Sequence, residues 1–260
     1  MRTGWGSSAE DPGEPESWKQ SASDSAQWRD FMAEMTTQGA TAAELPPRLC
    51  SACVRLLPVA GASISIVGSE GSPVTLCASD GVAARLAEIQ YTLGEGPCRY
   101  ATQVKAPVLA GDLTDGPDSR RWPLFAREAV AAGASAVFSF PLSQGGSVLG
   151  TMDLYDPVPR RLADRYIPVA LRAAEAVTLA LGTLHHEQST GSEAGVAWFL
   201  QAEANHEEVY RAAGMLMVRL GVGADEAMAR LRARAFSLDR TVTEVAKDIV
   251  NRTDDFGASD

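Results

Sequence analysis

Cys50-Ser-Ala-Cys53 is the first spacing in the sequence that could do chemistry. On a helix, residues i and i+3 share a face, so two thiols there suit a metal ion or a redox pair. Cys77 and Cys98 would complete a four-thiolate site only if the fold gathers them. Val54 and Leu57 beside the pair favour the other reading, a packed face with buried thiols, because free cysteine is among the most buried residue types. A disulfide framework is not expected in a long chain with four cysteines and no sign of export.

Arginine makes the second pattern. Arg230 and Arg234 lie four apart on one flank of a helical stretch, and Arg232 projects from the other. With Arg211, Arg219, Arg240 and Lys247 they could form a phosphate-contacting surface. The competing reading is a solvated helix face, with Glu226 paired to Arg230 at i,i+4. Ala212 and Gly214 are small enough to let another backbone approach, while Leu216 and Met217 offer apolar area. No catalytic constellation is present: there is no phosphate loop, dinucleotide fingerprint, Gly-x-Ser-x-Gly elbow or His-rich motif. His185 and His186, adjacent on a helix, point about 100° apart and cannot easily share a metal. The chain is therefore expected to be no enzyme, with no catalytic residues, no metal and no cofactor.

Charge is distributed unevenly. The formal net charge of −10 argues against coating nucleic acid by bulk attraction. Residues 205–253, however, carry eight Lys/Arg against seven Asp/Glu, which leaves a locally neutral-to-basic module on an acidic body. No apolar run reaches the ~20 residues that span a bilayer, and the N-terminus lacks the apolar core of an export signal. A cytoplasmic protein without membrane contact is expected.

The elements that must position these residues follow from periodicity. Residues 1–25, rich in Ser, Glu, Gly and Pro, read as disordered. Trp28, Phe31, Met32 and Met35 recur at helical spacing, and a second helical stretch runs from Leu49 to Leu57. Strands are expected at Ser63–Val67 and Val74–Cys77, then in a hairpin whose link is Gln144-Gly-Gly146. In that hairpin Ala136, Phe138, Phe140 and Leu142 share one face, as do Val148, Met152 and Leu154. A short helix (Val82–Glu88), a long loop through Gly94–Cys98 and a helix at Trp122–Ala132 lie between the strand regions. Ile167, Ala170, Ala174, Val177, Leu181 and Leu184 step by three and four, which fits either a coiled-coil seam or packing back onto the sheet. Residues 187–195 read as a linker or helix break.

Three more helical segments follow, at about Val196–Leu220, Ala224–Phe236 and from the capping box Thr241-Val-Thr-Glu244 onward. None could stand alone, and together they make a small bundle. The fold class is α+β: an antiparallel sheet with flanking helices over residues 26–186, a helical connector, and a three-helix bundle over residues 196–254.

Two resemblances accompany these patterns. Val209-Tyr-Arg-Ala-Ala-Gly-Met-Leu-Met217, Asp225-Glu-Ala227, Leu231-Arg232 and Val245-Ala246 resemble the ANTAR family of RNA-binding antitermination domains. Ala213 stands where that family often has Lys, so one basic contact is absent. The resemblance implies a dimer that engages paired RNA hairpin loops, with Arg211, Ala212, Gly214, Met217, Arg219, Arg230, Arg232, Arg234, Arg240 and Lys247 as candidate contacts. Bases splayed from a loop can be stacked and read, unlike those in the deep groove of duplex RNA.

Ala62-Ser-Ile-Ser-Ile-Val67, Leu93-Gly-Glu-Gly-Pro-Cys98, Ala106-Pro-Val108 with Asp112-Leu113, Arg121-Trp-Pro123 and the Phe138–Tyr155 hairpin resemble a GAF domain. That implies a sensor for a small ligand or an upstream signalling protein, with Trp122, Phe138, Phe140 and Met152 bounding its pocket unless they are ordinary core. Bilin attachment is disfavoured, because Arg99 and Tyr100, not His, follow Cys98. The expected function is a signal-responsive transcription antiterminator. Two alternatives stay open: a protein–protein signalling module without RNA binding, and a thiol or metal sensor using Cys50 and Cys53.

Overall fold

The computed structural model describes residues 16–35, 45–67, 73–189, 207–238 and 240–252. The chain order is α1 (Glu16–Met35), α2 (Leu45–Leu56), β1 (Gly61–Val67), β2 (Pro73–Ala78), α3 (Gly81–Leu93), α4 (Pro97–Val104), β3 (Val108–Ala110), α5 (Pro117–Arg121), α6 (Pro123–Ala131), β4 (Ala136–Gln144), β5 (Ser147–Asp156) and α7 (Tyr166–Ser189). After residues 190–206, which lie outside the described set, come α8 (Glu207–Leu220), α9 (Ala224–Ser237) and α10 (Val242–Val250).

The five strands form one antiparallel sheet in the order β2-β1-β5-β4-β3. The β4–β5 turn places Gly145 (φ 58) and Gly146 (φ 83) in the left-handed region, where a two-residue hairpin turn needs glycine. Alternation then sorts the side chains. Ala62, Ile64, Ile66, Phe138, Phe140, Leu142, Met152 and Leu154 face one way and form a core with α1, α2 and α7. Val137 and Tyr155 face the other way, toward Leu86 of α3, Ala101 of α4 and Phe125 of α6. Helices therefore cover both faces.

Several sequence expectations need correction. Helix α1 begins at Glu16, inside the stretch read as disordered. The segment from Glu16 contains no Gly or Pro, so low apolar content there did not preclude a helix. Helix α3 runs on to Leu93, from the Asp80 cap to the left-handed Gly94, so Gln90, Tyr91 and Thr92 are helical. The loop after it holds α4, started by Pro97 in its first turn, and strand β3. The helix expected at Trp122–Ala132 forms as α6, with Trp122 and Ala132 as its caps, and the short helix α5 precedes it where none was expected.

The heptad-like stripe of α7 packs on the sheet: Ala170, Ala174, Val177 and Leu181 are buried in the first core. Of the linker expected at 187–195, residues 187–189 are still helical in α7; residues 190–195 and the helix start expected at Val196 lie outside the described residues, and Leu184 of the stripe lies outside those with described side chains.

Cys50 of α2 is bonded to Cys77 of β2, closing a loop of sequence separation 27. Spacing alone could not show that β2 lies across α2. Cys53 and Cys98 are buried free thiols, as expected of packed cysteine.

Bundle α8–α10 has its own core of Val209, Ala212, Leu216, Ala227, Leu231, Val242, Val245 and Ile249. The capping box forms as the sequence predicts: Glu244 N donates to Thr241 Oγ1 and Thr241 N to the Glu244 carboxylate. One residue of that core comes from the body. Tyr91 of α3 is buried among the bundle's side chains.

Candidate sensor cavity and nucleic-acid interface

Facing α3 and α4, the central strands are polar. Ser63 and Ser65 of β1, Ser139 of β4, and Thr151 and Asp153 of β5 are all buried there. Register makes them neighbours, since Asp153 pairs with both Ser63 and Ser139, and Ser65 with Thr151. Asp153 is 6% exposed. Thr151 Oγ1 lies 3.4 Å from its carboxylate, and Ser139 and Gln90 also face it. Burial outweighs these contacts and pushes its pKa up to about 6. Asp153 Oδ1 and Ser139 Oγ have no well-formed hydrogen bond among the described residues.

Beside this cluster is a cavity of about 170 Å³, lined by Ser65, Ile66, Val67, Pro73, Cys98, Arg99, Thr102, Gln103, Gly150 and Thr151. Gln90 closes the inner side of the loop into α4 by accepting the Cys98 N–H at 2.8 Å. Burial pushes the Cys98 thiol well above its ordinary range, with Asp153 adding to the effect, so Cys98 lines the cavity as a neutral thiol.

The four aromatic and Met residues expected around a pocket lie elsewhere. Phe138, Phe140 and Met152 are fully buried on the opposite sheet face, against α2 and α7. Trp122 packs edge-on to Tyr100 (ring centroids 6.1 Å), and the Arg121 guanidinium sits 3.7 Å over the Tyr100 ring. Ordinary core is thus what those four residues form. The polar cluster escaped notice because alternating serines in a strand usually mean a solvated face; here α3 and α4 cover it.

Cys50 and Cys53 do not act as a pair, because the Cys50 sulfur is bonded to Cys77. Cys53 instead lies against the Met152 sulfur (3.5 Å), and burial raises its pKa to about 12. Among the described residues no cluster of three or more His, Cys, Asp or Glu could hold a metal ion.

The cationic residues of the bundle divide between two places. An open groove between α8 and α10 is lined by Arg211, Gly214, Met215, Leu216, Val218, Arg219, Ile249 and Arg252. Val218 is 87% exposed, and Met215 and Met217 are partly so. A Cβ added at Gly214 would meet nothing within 4 Å, so packing within the chain does not require glycine there. Ala212 is buried in the bundle core and Ala213 nearly so. A lysine at position 213 would start from a buried site.

The other cations lie outside this groove. Arg230 pairs with Glu226 at 2.6 Å, the i,i+4 contact that the solvated-face reading anticipates. Arg240 pairs with Asp248 at 2.6 Å. Arg234 lies in the last turn of α9, where a cation complements the helix C-terminus. Lys247 borders a recess with Glu88, Glu208 and Glu244, between the body and the bundle. Arg232 turns onto the body, where its Nε donates to the Tyr91 carbonyl at 3.3 Å. The ten candidate contacts therefore do not form one surface. Arg252, which lines the groove, was absent from that set; it sits after the last helix in a left-handed conformation (φ 57), where helical periodicity gives no signal.

Comparison with known proteins matches two stretches of the chain. A family model described as GAF domain matches residues 39–182, and one described as ANTAR domain matches residues 200–250. The GAF domain of an Acinetobacter phosphoenolpyruvate-protein phosphotransferase is similar in structure, with TM-score 0.51 and 9% identity, covering 65% of this chain and 97% of that one. The corresponding domain from Coxiella burnetii gives TM-score 0.50 at 14% identity, covering 65% and 96%. At such identity the likeness is one of fold. No curated protein matches the chain. Among the described residues no helix is long and apolar enough to cross a membrane.

Proposed function

The chain belongs to the GAF family and carries an ANTAR domain behind its GAF body, and on that premise we propose that it is a signal-responsive regulator that binds RNA hairpins and promotes transcription antitermination. The α8/α10 groove carries this reading. It sets Arg211, Arg219 and Arg252 around exposed Met215 and Val218, and leaves open space over Gly214. Guanidinium groups contact phosphate and stack on splayed bases, and apolar side chains supply a surface for the base faces. A small residue at the groove floor admits the RNA backbone.

The acidic body repels phosphate at long range, so binding by the chain as folded here centres on this patch. Two such patches in a homodimer would engage paired hairpins, with effective concentration raising the affinity of each modest contact. The signal is a small ligand at the cavity beside Thr151 and Cys98, or an upstream protein acting there. The regulator works in the cytoplasm, without catalysis, and holds no cofactor.

The test is a double substitution, Arg211→Gln with Arg219→Gln, in the full chain. A paired-hairpin RNA should bind more weakly, and the slope of log affinity against log salt should become shallower by roughly 0.7 per lost phosphate contact. Unchanged affinity and slope would exclude the groove. Tight binding of a protein partner by a chain that binds no hairpin would favour the protein–protein alternative.

A further inference from the structure

The body and the bundle share one short piece of helix. Three consecutive residues of the last turn of α3 face in different directions, as an advance of about 100° per residue requires. Gln90 faces inward: it is 1% exposed, accepts the Cys98 N–H and lies against the Asp153 carboxylate. Tyr91 faces outward, with its side chain in the bundle core and its carbonyl held by Arg232. Thr92 Oγ1 accepts the N–H of Val242, the first residue of α10, at 3.2 Å. One turn earlier, Glu88 accepts from Thr243 Oγ1 at 3.1 Å.

A sensor hydroxyl thus satisfies a donor that α10 would otherwise leave without an intrahelical partner. The turn ends at Gly94, and the Arg232 guanidinium lies over it, 3.6 Å from where a Cβ would stand. A further contact, Arg127 over the Phe236 ring at 5.7 Å, is exposed. Apart from Tyr91 these dock contacts are polar, whereas the bundle has an apolar core of its own.

We propose that the last turn of α3 is a two-sided latch: its inner side reads the Asp153–Gln90 cluster beside the cavity, and its outer side holds the bundle and withholds Arg232 from RNA. A change in the cavity that moves Gln90 must move Tyr91 and Thr92 with it, because they belong to the same helical turn. Release of the dock frees Arg232 to face solvent from the opposite flank of α9 to Arg230 and Arg234. Among the described residues the groove is lined by the bundle alone, so the docked chain retains partial RNA binding, and release strengthens it.

Hydrogen exchange of the full chain tests the latch independently of RNA. Thr92→Val keeps the side-chain shape and removes the acceptor, so the Val242 amide should exchange about tenfold faster while the β4 and β5 amides are unchanged. Asp153→Asn alters only the inner side, yet it should change exchange in the first turn of α10 relative to the sheet by at least about threefold. Protection in α10 that is unchanged in either variant would overturn the proposal.

The RNA arm rests on the proposed hairpin binding. Thr92→Val should raise affinity for a paired-hairpin RNA about tenfold, and adding Arg232→Ala should reverse most of that gain. Weaker binding by Thr92→Val would overturn the latch. If exchange responds as expected and neither wild type nor variant binds any hairpin, the latch stands and the RNA reading fails.

Discussion

Replacing Asp153 by Asn keeps the shape of a buried side chain and removes its charge. In the folded chain the carboxyl titrates at about 6, against an ordinary value of 3.8, chiefly because burial disfavours the anion. That difference, about 2 units, corresponds to roughly 3 kcal/mol. Its sign follows from linkage. A pKa raised by folding means that the native state holds the proton more tightly than the unfolded chain does. The contribution of this one group to stability is then greatest below about pH 4 and falls as pH rises through 4 to 6, and above 6 the native state bears the full cost of a buried anion. The amide in the Asp153→Asn variant has no proton to lose, so that variant escapes this decline. Its stability advantage over wild type should therefore grow by roughly 2–3 kcal/mol between pH 4 and pH 7.5. Urea denaturation followed by circular dichroism at five or six pH values measures it. A difference that stays constant with pH, or shrinks as pH rises, would refute the assignment of Asp153 as a buried, poorly satisfied carboxylate.

Three further outcomes follow from named contacts. Gly214→Ala should stabilise the bundle by up to about 1 kcal/mol, since an added methyl meets nothing, and yet weaken hairpin binding by filling the groove floor; thermal denaturation and RNA titration on the same variant check both. Thr241→Ala removes the Glu244 N–H acceptor of the capping box and should cost about 1 kcal/mol, seen as earlier melting of the bundle. Reducing the Cys50–Cys77 bond, or replacing both residues by Ser, should lower stability by about 3 kcal/mol for a loop of this length, measured as a shifted denaturation midpoint.

Much of this molecule is written in its periodicities. The Phe138–Tyr155 hairpin has two glycines where two positive φ angles are needed, and alternation that gives each strand one apolar face. The Thr241–Glu244 capping box fixes the start of α10 by local hydrogen bonds alone, so it is legible without any tertiary information. Sites made by distant segments are less legible. Ser139, Thr151 and Asp153 occupy the polar phase of their strands, and only the placement of α3 and α4 over them turns a face that looks solvated into a buried cluster. Phe138, Phe140 and Met152 have the composition of a pocket lining, but their strand phase sends them to the other core. Arg232 shares a sequence rhythm with Arg230 and Arg234, and its partner, a backbone carbonyl at Tyr91, leaves no trace in side-chain chemistry. Cys50 meets Cys77 across the α2–β2 contact for the same reason, while the i,i+3 spacing points to Cys53.

Whether the C-terminal groove takes RNA hairpins is decided by titrating the full chain with a paired-hairpin RNA, beside duplex DNA of equal length, at several salt concentrations. A groove that works as proposed gives hairpin binding that weakens with salt and exceeds duplex binding at every concentration. Failure to bind the hairpin at the lowest salt, or equal binding of hairpin and duplex throughout, would contradict it.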